Sequence, residues 1–249
     1  MIDVLLQTKA LRKTFGALVA TDAVEFSVRE GETHAIIGPN GAGKTTFIGQ
    51  LAGNLRPDAG RIVFAGEDIT HLPAQRRARK GLARSFQITS IYREFSALDN
   101  VALAVQAHAG HSFRFWKAAR EDRLLTEPAL RILESIGLHE RKNVLAAELS
   151  HGEQRQLEIA MALATRPRLL LLDEPVAGMG TDESLRMVKY LESLKGGKTI
   201  VLVEHDMDAV FSLADRISVL VYGRIIATGT PAEIRANADV RIAYLGEEA

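Results

Sequence analysis

Short apolar runs alternate along the chain with longer segments of helical period, and this alternation predicts an α/β domain. The runs at 33–37, 199–203 and 216–221 have the length and residue types of buried strands. Four consecutive leucines at 169–172 are typical of a strand that is covered on both faces of a parallel sheet. Helices are expected between the strands, the first of them from residue 45 to residue 52.

Two regions depart from this alternation. Near the N-terminus, residues 2–9, 23–28 and 60–64 predict short strands. From about 97 to 148 the pattern is mainly helical, with a break at residues 110–112. We therefore expect a block of helices inserted within an α/β frame.

Composition and charge narrow the possible function classes. The length of 249 residues suits one large α/β domain. A formal net charge of +0 argues against a general nucleic-acid binder, which usually carries a basic excess. The absence of cysteine excludes disulfides and thiol chemistry. No apolar run reaches the ~18 residues of a membrane-spanning helix, so a role at a membrane would depend on a partner.

One segment matches a phosphate-binding pattern, G-x-x-x-x-G-K-[ST], and it lies between a predicted strand and a predicted helix. Its glycines allow the backbone to wrap closely round an anion, and the helix N-terminus adds a positive dipole end. A lysine here can reach the β- and γ-phosphates, and the following threonine hydroxyl can bind Mg²⁺. The candidate nucleotide-binding residues are Gly38, Pro39, Asn40, Gly41, Ala42, Gly43, Lys44, Thr45 and Thr46.

Two acidic residues follow the leucine strand. Ligands of open α/β sheets bind at the carboxyl ends of strands, so Asp173 and Glu174 should face the phosphate-binding loop. Asp173 is a candidate Mg²⁺ ligand, directly or through water, together with Thr45. Glu174 is a candidate base that positions and polarises the attacking water.

Five other residues are candidates with open alternatives. Ser150 and Glu153 form a capping-box pattern, which indicates either a well-capped helix or a second anion site. His205 follows a strand and could hydrogen-bond a γ-phosphate. Phe15 could stack on an adenine ring or be an ordinary core residue. Gln87 follows the short strand predicted at 82–86 and is weak evidence by itself.

Together these segments resemble the nucleotide-binding subunit of an ABC transporter over essentially the whole chain. Walker A lies at 38–46, the signature at 149–153 and Walker B at 169–173. The resemblance implies that Gln87 is the Q-loop glutamine, which contributes to catalysis and to Mg²⁺ binding. It also implies catalytic roles for Glu174 and the switch His205. Further nucleotide contacts are implied for Phe15, Ser150, His151, Gly152 and Glu153.

The same resemblance implies a P-loop NTPase fold with a RecA-like core and an N-terminal antiparallel β subdomain, in one ABC ATPase domain spanning 1–249. The core and β subdomain would occupy about 1–87 and 156–249, and an inserted α-helical subdomain about 88–155. Function would require ATP, Mg²⁺ and a head-to-tail dimer, in which the signature of one subunit contacts the nucleotide held by the other.

Within the superfamily, the chain most resembles the LivG-type subunit of branched-chain amino acid importers, through residues 149–160, 203–207 and 243–247. The implied partners are transmembrane permease subunits, a second ATP-binding subunit (identical or LivF-type) and, indirectly, a periplasmic or lipid-anchored solute-binding protein. No nucleic acid is expected. The protein would lie peripherally on the cytoplasmic face of the inner or plasma membrane. Permease docking is expected near 88–96, through Ile91, Tyr92 and Phe95.

Two departures and two alternatives stand beside this interpretation. His151 replaces the usual glycine of the signature, and Gly180 replaces an Asp or Asn in the loop that normally crosses the dimer interface. A lipopolysaccharide-type export or extraction ATPase shares the Tyr-Leu-Gly-Glu ending, and a soluble ABC ATPase acting on ribosomes or DNA is a further alternative. The sequence Val-Glu-His-Asp-Met at 203–207 favours the importer.

Overall fold

The computed structural model describes residues 4–85, 91–109 and 122–245. The strands, in chain order, are β1 (Val4–Phe15), β2 (Leu18–Arg29), β3 (Thr33–Ile37), β4 (Ala59–Phe64), β5 (Glu67–Asp68), β6 (Leu82–Arg84), β7 (Leu169–Asp173), β8 (Thr199–Val203), β9 (Arg216–Val221) and β10 (Arg224–Gly229). The helices are α1 (Lys44–Ala52), α2 (Ala74–Arg79), α3 (Ala97–Ala109), α4 (Arg123–Ser135), α5 (His151–Ala164), α6 (Thr181–Leu194), α7 (Met207–Leu213), α8 (Pro231–Ala236) and α9 (Ala238–Val240). None of these helices combines the length and the hydrophobicity that a bilayer span requires.

The larger sheet has the strand order β10-β9-β3-β8-β7-β6, and its strands from β9 to β6 are parallel. Every residue of β3, β7 and β8 is buried, as the apolar runs predict. Because the strands are parallel, the segments that follow β3, β7 and β8 meet at one edge of the sheet. The predicted parallel strand at 169–172 is confirmed.

The smaller sheet is antiparallel in the order β2-β1-β4-β5. Its first two strands have 12 residues each, so the expected bounds of 2–9 and 23–28 were too short. The two strands continue as a hairpin until Phe15 pairs with Leu18. The sequence did not predict this extension, because the outer part of both strands is largely exposed or half-buried and lacks an apolar pattern. β10 was not expected, because this edge strand alternates between exposed and half-buried residues without a long apolar run.

The inserted helices have their own core, which α3, α4 and α5 share. One face of α5 contributes Leu157 and Ala160 to that core, while Ile159 and Ala162 pack with residues of β7 on the other side. The division expected near residue 155 therefore falls inside a helix that serves both cores, and the subdomain ranges stay a prediction.

Candidate active site

The loop between β3 and α1 has a conformation that only glycine tolerates at two positions. Gly38 and Gly43 have φ angles of 156° and 103°. A Cβ atom at either residue would lie 2.0 Å from a backbone oxygen, that of Leu220 or that of Ala20. Gly43 also provides no side-chain cap for α1, so the first N–H groups of the helix are left for an external acceptor.

Lys44 lies across this loop. Its Nζ donates to the carbonyl oxygens of Gly38 at 2.7 Å and Pro39 at 3.0 Å. Burial lowers the pKa of Lys44, and the carboxylates of Glu174 and Asp173 act in the opposite direction. The loop, the lysine and the two acids are thus brought together, as the sequence predicts, and the arrangement could hold an anion beside a cation.

The surroundings of Asp173 are suitable for a metal ligand. The residue is fully buried, and its Oδ2 accepts a hydrogen bond from Arg84 Nη2 at 2.9 Å. Its Oδ1 has no hydrogen-bond partner among the described residues. A buried carboxylate oxygen without a donor is suited to a cation. No group of three or more His, Asp or Glu side chains that could hold a metal ion is found in the described ranges. Thr45 and Gln87 are the other ligands that the sequence predicts.

Glu174 and His205 face one another at the ends of β7 and β8. Glu174 Oε1 lies 3.9 Å from His205 Nδ1, and both side chains reach solvent. The backbone of Glu174 is left-handed, with a φ of 51°, and its N–H donates to Val203 O at 2.8 Å. A non-glycine residue held in this region is strained and is often found at functional sites.

Arg155 and Arg84 contact the Walker B residues and were missed in the sequence. Arg155, buried on α5, donates to the backbone oxygens of Asp173 and of Glu174, the latter at 2.9 Å, and pairs with Glu158 at 2.8 Å. The sequence offers one indication of this role: Arg155 and Glu158 are three residues apart on the face of a predicted helix that also carries the apolar Ile159.

The signature segment lies at the start of α5. Ser150 Oγ accepts from Glu153 N at 3.2 Å, and Glu153 Oε2 accepts from Ser150 N at 2.9 Å, which confirms the capping box. Ser150 Oγ also donates to Glu183 Oε1 of α6 at 3.3 Å. The Glu183 carboxylate covers Gly152 so closely that a Cβ there would lie 2.5 Å from Oε2.

The remaining predicted positions have mixed outcomes. Phe15 is 47% exposed, so the alternative of an ordinary core residue is wrong. Gln87 lies outside the described residues. Ile91 is buried in the helical core, so it was wrong to expect it as an exposed docking contact. Tyr92 and Phe95 are exposed, with their rings stacked 5.4 Å apart between centroids.

Comparison with family models gives two matches. The model described as ABC transporter matches residues 21–177. The model described as Branched-chain amino acid ATP-binding cassette transporter matches residues 224–249.

Curated relatives and solved structures agree with these matches. The chain is 41% identical to the high-affinity branched-chain amino acid transport ATP-binding protein BraF of Pseudomonas aeruginosa, over 98% of each chain. It is 39% identical to LivG of Escherichia coli, over 99% of this chain and 100% of LivG. A crystal structure of a nucleotide-free ATP-binding cassette from an ABC transporter superposes with a TM-score of 0.85 at 30% identity, covering 98% of this chain and 100% of that chain.

Proposed function

This chain belongs to the ABC transporter family of ATP-binding proteins, and on that premise we propose that it powers the uptake of branched-chain or related amino acids through separate permease subunits. It is an ATPase of an ABC importer. The observation that carries the proposal is the meeting of Lys44, Asp173, Glu174 and His205 at one edge of the parallel sheet. The match of residues 224–249 to the branched-chain amino acid family favours this substrate class over lipid export.

Within the site, each predicted residue has a chemical role. Glycine N–H groups and Lys44 bind the phosphates, while Phe15 presents an exposed ring for adenine. Thr45, Asp173 and Gln87 would hold Mg²⁺, which supplies charge neutralisation of the phosphates. Glu174 orients and polarises water, and His205, whose Nδ1 lies 3.9 Å from Glu174 Oε1, would hydrogen-bond the γ-phosphate.

The signature residues act on a nucleotide held by a second subunit. Ser150, His151, Gly152 and Glu153 stand at the start of α5, and Ser150 and His151 are exposed. The second subunit is either a copy of this chain or a LivF-type paralogue. Because the site is completed across the interface, hydrolysis by a single chain is slow.

A groove between the two cores suits a permease segment. It measures about 450 Å³, and its mainly apolar lining includes Leu103 and Ala107 of α3 and Met161 of α5, together with residues of α1, α2 and β6 and the exposed Tyr92. Docking here places the protein peripherally on the cytoplasmic face of the membrane. The solute reaches the permease from a periplasmic or lipid-anchored binding protein, which this chain does not need to contact.

Transport in vesicles tests the proposal. The chain is co-expressed with permease and binding-protein genes of the same organism, sought first beside its own coding region, and the purified complex is placed in lipid vesicles containing ATP. Uptake of labelled leucine, isoleucine or valine that requires both ATP and the binding protein is the expected result. A complex that hydrolyses ATP but moves none of these or related amino acids contradicts the substrate class, and one that hydrolyses no ATP contradicts the whole proposal.

A further inference from the structure

Glu204 is a buried carboxylate between two loops of the active site. It follows β8 directly and is 1% exposed. Its Oε1 accepts from Val176 N at 3.0 Å, in the loop after β7. Its Oε2 accepts from His205 N at 2.9 Å and from Asp206 N at 3.4 Å, in the loop after β8. One oxygen therefore serves each loop, and the carboxylate joins them.

The two loops carry the two groups that face each other in the site. Val176 is two residues beyond Glu174, whose own N–H is held by Val203 O at 2.8 Å. The strained turn at Glu174 is thus attached to the end of β8 at two points, at Glu174 itself and at Val176. On the other side, Oε2 also lies 3.7 Å from His205 Nδ1.

Burial of the Glu204 carboxylate has a free-energy cost, and its hydrogen bonds show what this burial achieves. Burying a carboxylate is unfavourable, and here backbone N–H groups offset the cost by donating to both of its oxygens. An apolar residue at 204 would avoid the cost but would leave three loop N–H groups without this acceptor. The hydrogen bonds to Glu204 therefore hold the loop after β7 and the loop after β8 in one relative position.

We propose that Glu204 is a positioning residue for ATP hydrolysis that sets the spacing between Glu174 and His205. The inference rests on the proposed roles of those two residues. It predicts that Glu204 affects the turnover step more than ATP binding, since the phosphate-binding loop belongs to β3 and α1 and receives none of these hydrogen bonds.

Glu204→Gln is the main variant, and Glu32→Gln is its matched control. Glutamine keeps one acceptor oxygen and turns an NH₂ group toward the other loop, so one attachment is lost. Glu32 is also buried and accepts a backbone N–H, from Arg29 at 2.8 Å, but it precedes β3 at the opposite edge of the same sheet. The control measures what the loss of any buried carboxylate of this sheet does to stability and turnover.

Three measurements on the purified full chain distinguish positioning from mere stability. In Glu204→Gln, kcat should fall between about tenfold and a hundredfold, with KM for ATP unchanged within about twofold, because small misplacements of catalytic groups act on turnover. Amide hydrogen exchange should become faster at Val176 and at 205–206 and stay unchanged in α3 and α4. In Glu32→Gln, Tm should fall while kcat and exchange at the two loops stay as in the wild type.

The opposite results overturn the inference. Equal kcat losses in the two variants at equal Tm, or unchanged exchange in both loops of Glu204→Gln, show that Glu204 has no positioning role. If the glutamine variant does not fold, Glu204→Asp replaces it, because the shorter side chain keeps the charge but cannot reach both loops. A wild-type complex with the permease subunits that hydrolyses no ATP would refute the proposed function, and the exchange measurement on the isolated chain would still decide whether Glu204 joins the loops.

Discussion

The start of α1 and the start of α5 are two helix N-termini that the chain presents in different ways. At α1, Gly43 provides no side-chain acceptor, and Lys44 lies over the adjoining loop. At α5, Ser150 and Glu153 cap one another, and the carboxylate of Glu183 lies on Ser150 and Gly152. The first N-terminus is open to an anion and supplied with a cation, whereas the second already contacts carboxylates of its own chain.

This difference separates what a single subunit prepares from what it leaves to assembly. The α1 end is built from backbone that only glycine allows, so the sequence of this chain itself sets the shape of the loop. At the α5 end, in our proposal, the contact between Ser150 and Glu183 must be exchanged for a contact with phosphate when two subunits close. Four substitutions test this division.

Lys44→Ala should have the largest effect, since it removes the cation from the open N-terminus. We expect hydrolysis to fall at least about 10²-fold, and ATP affinity to fall as well, because the phosphate charge loses a charged donor. Binding of a fluorescent ATP analogue and phosphate release measure the two effects. Lys9→Ala, at an exposed position of β1, is the control and should behave as the wild type. Unchanged affinity in Lys44→Ala would contradict our placement of the lysine.

Glu174→Gln should separate ATP binding and dimerisation, which it leaves intact, from hydrolysis, which it slows. Hydrolysis should fall about 10²- to 10⁴-fold through loss of the base, while ATP binding stays intact. Both N-termini should then remain on the nucleotide, so that ATP traps a dimer that light scattering detects. Near-normal turnover would refute the role of Glu174. A variant that stays monomeric with ATP would argue that α5 does not contact a nucleotide held by a second copy of this chain.

Glu183→Gln should make the N-terminus of α5 more like that of α1, because it removes a carboxylate charge from beside Ser150. Loss of the negative charge beside Ser150 should strengthen ATP-dependent dimerisation by a few fold, as expected for one charge near a helix N-terminus. ATP binding to the monomer should not change. Sedimentation with and without ATP measures the dimerisation constant. Weaker dimerisation in the variant would mean that the carboxylate supports the signature segment instead of competing with phosphate.

Asp58→Asn should have the smallest effect of the four substitutions, because the hydrogen bonds of the Asp58 carboxylate come from the residues next to Phe15 and not from the phosphate-binding loop. Lys13 and Thr14, next to Phe15, donate to this carboxylate, and they lower the pKa of Asp58 to about 2 from 3.8. A lowered pKa means that Asp58 stabilises the fold above pH ~4, and that this contribution is lost as the pH falls from 4 to 2. Because Asp58 is exposed, we expect only a small loss.

Thermal unfolding between pH 7 and pH 3 tests this expectation. At pH 7 the Tm of Asp58→Asn should lie slightly below that of the wild type, and the difference should shrink toward pH 3. ATP affinity should change by no more than about twofold, because only the support of Phe15 is altered. A difference that grows on acidification would contradict the sign of the pKa shift.

The sequence by itself determined those features whose parts are adjacent along the chain. The strand, glycine loop and helix around Lys44 form one local unit, and the Ser150 capping box needs only three residues. The all-apolar run before Asp173 likewise predicts a buried parallel strand, because no polar residue could be solvated on either face. These predictions, with the family resemblance, were sufficient for the fold class and for the ATPase function.

Tertiary structure alone decided the contacts between residues that are distant in sequence. Parallel pairing of β7 and β8 brings Glu204 to Val176, and packing of α5 on the sheet brings Arg155 to the backbone of Asp173 and Glu174. A charged residue has no sequence pattern that names its partner, since burial and register are set by the whole sheet. For the same reason the length of the β1–β2 hairpin and the existence of β10 became visible only in the fold.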